Sequence, residues 1–97
     1  MSAAPVSREP LTKTVLIANK RGLHARASAK FVTLASAQDA EIAVEKDGSS
    51  VAGTSIMGLM MLGAAMGDHV TISASGDNAE EALRLLVALV EDRFGED

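Results

Sequence analysis

The sequence has no cysteine, no tryptophan and no tyrosine, and its only aromatic rings are Phe31 and Phe94. The missing cysteine excludes disulfides, thiolate nucleophiles and cysteine metal sites, and fits a reducing compartment. So few aromatics leave no platform for stacked bases, which argues against RNA or single-stranded nucleic acid. Long apolar runs are missing too. The two longest, residues 56–66 with Gly58 and Gly63 inside and residues 85–90, fall short of the roughly 20 residues a membrane-spanning helix needs. Residues 1–10 contain both prolines, Pro5 and Pro10, carry Arg8 and Glu9, and have no apolar core. They read as a short disordered arm and not as a signal peptide, so a cytoplasmic protein without membrane insertion is expected. Two histidines and scattered carboxylates give no metal-ligand spacing, and no glycine-rich loop ends in Lys-Ser/Thr. Neither a metal nor a cofactor is expected.

What is present fits one small globular domain over residues 11–97, because 47% of the 97 residues are hydrophobic and 23% are charged. The net charge of −4 is unevenly spread. Residues 1–30 hold six basic side chains against Glu9 alone, a net +5, whereas residues 31–97 hold three against twelve acids, a net −9. An acidic chain with a local basic patch suits a small anion or an acidic protein surface better than nucleic acid.

Hydrophobic periodicity supplies the element order. Residues 12–18 are rich in Thr, Val and Ile and predict a strand, ended by Asn19-Lys20-Arg21-Gly22. Ala27, Phe31, Leu34 and Ala35 mark one face of a helix over residues 25–37. Residues 40–45 alternate, Asp47-Gly48 signals a hairpin, and Val51-Ala52 offers a short return strand. Ser55 or Thr54 caps a short helix over residues 56–62, with Leu59 and Leu62 turned inward. Residues 69–75 alternate again, with Val70, Ile72 and Ala74 on one side. Asp77, three residues before Glu80, reads as the cap of a long helix that Gly95 ends. The order β-α-β-β-α-β-α predicts an α+β fold: a two-layer open-faced sandwich, a four-stranded antiparallel sheet with three helices on one face.

The chemistry concentrates at His24. His69 opens a strand on its polar side and reads as a solvated residue. His24 instead lies where a basic loop meets a helix start, beside the free backbone N–H groups of Ala25 and Arg26. The positive helix end, with Lys20, Arg21 and Arg26, favours the neutral imidazole and welcomes an anion. A nucleophilic ring in an anion site can accept a phosphoryl group. The bland alternative is a capping histidine in a solvated basic loop. A different functional class also fits: a regulatory module that binds an anionic metabolite or a partner protein at the basic helix end.

The second unusual stretch is residues 56–62, which hold Met57, Met60 and Met61, three of the five methionines. A two-turn helix buries one side only, so some of these side chains face solvent, and methionine suits a surface that accepts several partners. Core filling is the competing reading. Ser55, in front of them, is by default a cap.

At Gly22-Leu23-His24-Ala25-Arg26 and Thr54-Ser55-Ile56-Met57-Gly58-Leu59-Met60 the chain closely resembles the HPr family, histidine phosphocarriers of the bacterial phosphotransferase system. The resemblance runs from about Leu11 to Phe94. It implies a monomeric phosphoryl carrier, not an enzyme with its own turnover. Such a carrier takes a phosphoryl group from Enzyme I on Nδ1 of His24 and passes it to Enzyme II A-type proteins. By the same resemblance Arg26 is the anion partner and Ser55 matches the serine that HPr kinase/phosphorylase modifies. Ile56, Met57 and Met60 match partner-docking positions, with Lys20 and Arg21 in the adjoining basic loop. One departure stands out. The family commonly has Pro after Ala-Arg, and Ala27 stands there. Alanine is a good helix former, so the fold should survive.

Overall fold

A computed structural model describes residues 9–96. The arm expected at residues 1–10 therefore lies outside the described residues apart from Glu9 and Pro10, which are exposed and belong to no element. The elements are β1 (Leu11–Leu16), α1 (Ala25–Ser36), β2 (Glu41–Lys46), β3 (Ser49–Ala52), α2 (Ile56–Met61), β4 (His69–Ser75) and α3 (Ala79–Glu91), followed by a 3-10 turn at Arg93–Gly95. The strands form one sheet in the order β1-β4-β2-β3, with every neighbouring pair antiparallel. This is the expected sandwich.

Alternation decides which face of the sheet is covered. In β4, Val70, Ile72 and Ala74 are buried while His69 is exposed, as the period of two requires. Val44 pairs with Ile72 and Val15 with Val70, so β1, β4 and β2 present a continuous aliphatic surface. Phe31 from α1, Leu59 from α2, and Leu86 and Val90 from α3 close over it, each at most 2% exposed. Losing a buried leucine of this kind costs about 2–5 kcal/mol. The other face stays polar, with Thr14 and Thr71 sharing a hydroxyl hydrogen bond of 2.9 Å across β1 and β4.

Several boundaries differ from the sequence reading: β1 stops at Leu16 and not at residue 18, and α3 stops at Glu91, before the 3-10 turn that carries Phe94 and Gly95. The strand β3 begins at Ser49, two residues before Val51. Asp47 and Gly48 both adopt positive φ, 51° and 85°, which makes a two-residue turn that keeps the strands paired to its edge. The cap of α3 is Asn78, not Asp77, and its side chain makes no capping bond. Its amide instead reaches Gln38 at 3.4 Å, while Glu80 and Glu81 complement the positive end of the helix.

The loop before α1 is fixed by backbone. Gly22 has φ +64°, and a Cβ there would come within 2.3 Å of the Ala64 carbonyl oxygen. Only glycine lets the loop lie this close. The next residue, Leu23, is buried and donates its N–H to the same carbonyl at 3.0 Å. The following residue is thereby held at one place on the surface.

Candidate functional site

That following residue is His24, and it is the N-cap of α1. Its backbone is extended, with φ −73° and ψ 178°, and its carbonyl accepts the Ser28 N–H at 2.8 Å. Its ring does what a capping side chain does: Nδ1 accepts the Arg26 N–H at 3.2 Å. An amide N–H is only a donor, so Nδ1 must carry the lone pair, and in the neutral ring the proton sits on Nε2. Nε2 faces Glu96 Oε2 at 2.7 Å. The His24 side chain is 13% exposed and that of Glu96 is 23% exposed.

Glu96 comes from the far end of the chain and reaches the ring because the chain doubles back after α3. Asn19, 2% exposed, steadies it: Nδ2 donates to the Gly22 carbonyl at 2.8 Å and lies 3.4 Å from each Glu96 oxygen. The Asn19 Oδ1 is buried and finds no partner among the described residues. Reversing the amide would set oxygen against oxygen at both contacts, so this orientation is imposed on the residue. The hydrogen bond from His24 holds the Glu96 carboxyl below the ordinary carboxylate range. Partial burial opposes this, while the Asn19 amide, the charge that His24 carries when protonated, and Arg21 add to it.

The residues singled out in the sequence divide into two groups. Around His24, the donor that meets the ring is the N–H of Arg26, and no hydrogen bond runs to it from Ala25. The Arg26 side chain is exposed and pairs with no side chain among the described residues, as is true of Lys20. Arg21 is exposed and acts on Glu96 through its charge. Ala27 is fully buried at the third helical position, where the N–H has no intrahelical partner, so a proline would forfeit no helical bond there. Glu96 and Asn19 were not anticipated.

The second group surrounds Ser55, the N-cap of α2, whose Oγ accepts the Gly58 N–H at 2.9 Å. Leu59 and Leu62 are buried, as expected. Ile56 and Met60 are 39% exposed, Met57 66% and Met61 80%, an apolar surface in front of the serine. Met61, on the same helix, widens the patch beyond the three residues expected to dock partners.

Residues 11–92 match the family described as PTS HPr component phosphorylation site. The chain belongs to the HPr family. It is 44% identical to phosphocarrier protein HPr of Cupriavidus necator over 86 residues, 89% of this chain and 97% of that one. It is 42% identical to phosphocarrier protein NPr of Shewanella violacea, covering 89% and 94% of the two chains. A crystal structure of HPr from Thermoanaerobacter tengcongensis superposes with a TM-score of 0.86 at 49% identity, covering 90% and 98%. The protein is accordingly a phosphoryl carrier of the phosphotransferase system and not a catalytic enzyme. No helix among the described residues is long and apolar enough to cross a membrane.

Proposed function

We propose that the phosphoryl group rides on Nδ1 of His24, arriving from phosphorylated Enzyme I and leaving to an Enzyme II A-type protein in the cytoplasm. The observation that carries this reading is the hydrogen bond from the Arg26 N–H to Nδ1. It keeps the lone pair on that nitrogen and points it at a helix N-terminus. As the phosphoryl group bonds to Nδ1, this N–H is released to the incoming oxygens, and the Ala25 N–H lies beside it. Helix-end donors hold anions by geometry and by dipole together. The exposed Arg26 guanidinium is free to meet the phosphoryl group while its charge is shared between donor and acceptor.

Ile56, Met57 and Met60 are the surface on which partners dock, with Lys20 and Arg21 guiding acidic partners to it. Ser55, placed against this surface, is the regulatory position and the substrate of an HPr kinase/phosphorylase. A phosphate there brings close to two negative charges to an apolar contact.

The test is phosphorylation with Enzyme I and phosphoenolpyruvate, read by intact-protein mass spectrometry. The parent should gain one phosphate that is labile in acid and stable in alkali. His24→Ala should gain none while staying folded, with a melting temperature only a few degrees lower for the lost cap. An acid-labile phosphate on His24→Ala would overturn the assignment. Reversible anion binding without an adduct would favour a metabolite-sensing module.

A further inference from the structure

Between α3 and Glu96 the backbone does something that needs a reason. Arg93, Phe94 and Gly95 all take left-handed conformations, with φ of 56°, 54° and 74°. Glycine adopts this readily, but arginine and phenylalanine do so at a cost and persist there only when their surroundings hold them. Two contacts hold this turn. Phe94 is 1% exposed and forms part of the core, and Lys30 Nζ from α1 donates to the Phe94 carbonyl at 2.6 Å. A helix that simply stopped at Glu91 would need neither. The strained turn reverses the chain and delivers Glu96 to Nε2 of His24, where the buried Asn19, with an oxygen that finds no partner among the described residues, meets it.

We propose that residues 93–96 form a positioning hook for the phosphoryl-carrying ring, with Glu96 holding Nε2–H and balancing the positive charge the ring gains on phosphorylation. The proposal rests on the carrier reading above. In the step it serves, the Nδ1 lone pair forms a bond to phosphorus as the donor's bond to phosphorus breaks. The leaving group keeps that electron pair and takes a proton from solvent. His24 keeps the proton on Nε2, so a neutral imidazole becomes a phosphorylated imidazolium. The Nε2–H bond to Glu96 then joins opposite charges, and such bonds are stronger than neutral ones. The carboxylate thus interacts more strongly with the product ring than with the starting ring, which is the condition for it to speed acceptance. Among the described residues, the other charged group acting on Glu96 is Arg21, which helps keep the carboxyl ionised. Glu96 touches neither phosphorus nor the attacking atom, so its role is positioning.

The experiment compares the parent with Glu96→Gln and Glu96→Ala as full-length proteins. In the unphosphorylated state, the Nε2–H proton of His24 should be observable by NMR and slow to exchange in the parent, and lost to fast exchange with water in Glu96→Ala. With phosphorylated Enzyme I as donor, the saturating rate of acceptance should fall about fivefold in Glu96→Gln, a size set by the partial exposure of the pair. The donor concentration at half-saturation should stay as in the parent. Glutamine keeps the size and the acceptor oxygen, so a slower rate in that variant isolates the charge from packing. Acceptance by Glu96→Gln at the parent rate would overturn the hook, and so would unaltered Nε2–H exchange in Glu96→Ala. Those results leave the carrier reading standing, which fails only if His24→Ala itself accepts the phosphate.

Discussion

His24 and Ser55 perform the same structural task in different company. Each is the N-cap of a helix, and each takes up a first-turn N–H through its side chain, at 3.2 Å from Arg26 and 2.9 Å from Gly58. Behind His24 stand a carboxylate, a buried amide and basic side chains, which fix one ring nitrogen and leave charge to receive an anion. Around Ser55 lie exposed Ile56, Met57, Met60 and Met61, which offer area and no charge. Capping thus aims a polar side chain at a predictable spot, and the neighbours decide its use. In the function proposed above, the use at His24 is chemistry and the use at Ser55 is contact, with the hydroxyl as a point where contact can be disrupted.

The sharpest way to break this contrast is to put charge on the apolar side of it. Met57→Glu should raise the Enzyme I concentration needed for half-maximal transfer about thirtyfold, because an uncompensated charge at an interface costs several kcal/mol. Ser55→Asp should give a smaller increase, with no loss of melting temperature, because aspartate caps a helix as well as serine does. Transfer kinetics like the parent's in both variants would remove the docking role of this surface. A collapsed melt for Met57→Glu would place that side chain in the core, against its 66% exposure.

The charged side of the contrast is tested by Arg26→Ala. Its guanidinium is solvent-exposed and pairs with no side chain among the described residues, so its removal should leave docking and stability unchanged. The saturating transfer rate should fall about tenfold, less than for a buried oxyanion donor because water screens the charge. Equal saturating rates for the variant and the parent would take Arg26 out of the mechanism.

Much of this was legible in the sequence, and what was not has a common cause. The bounds of β4 follow from strict alternation between His69 and Ser75, and a cap at Ser55 or Thr54 follows from residue type and position, whereas the capping by His24 entered only as the alternative to its chemistry. Ser49 and Ser50 carry no strand signal; only their pairing with Lys46 and Glu45 makes them β3. Asp77 looked like a cap because of Glu80, but Asn78 occupies that place and reaches across to Gln38. The contact between His24 and Glu96 spans 72 positions of chain, and no local pattern points to it. Asn19 reads as one residue of a polar break until the fold buries it. Local rules recover what neighbours along the chain decide, and the second half of the His24 site is assembled by neighbours in space.

Lys20 and Arg21 offer the smallest and most selective probe of the comparison. Both are exposed in the loop before His24, and neither touches the ring. On the function proposed above, their charge acts during approach. Lys20→Ala should lower the second-order rate of transfer from Enzyme I about two- to threefold at low ionic strength and leave the saturating rate alone. The effect should shrink toward nothing at high salt, because the screening length falls from about 10 Å at 0.1 M to about 3 Å at 1 M. Arg21→Ala should show the same salt-sensitive loss plus a small residue that salt does not erase, because Arg21 also helps hold the Glu96 carboxyl below its ordinary range. His69→Ala, on the open face of the sheet, is the control and should match the parent at every salt concentration. A Lys20→Ala defect that persists unchanged into high salt would mean that this lysine makes a specific contact in the complex and is not a steering charge.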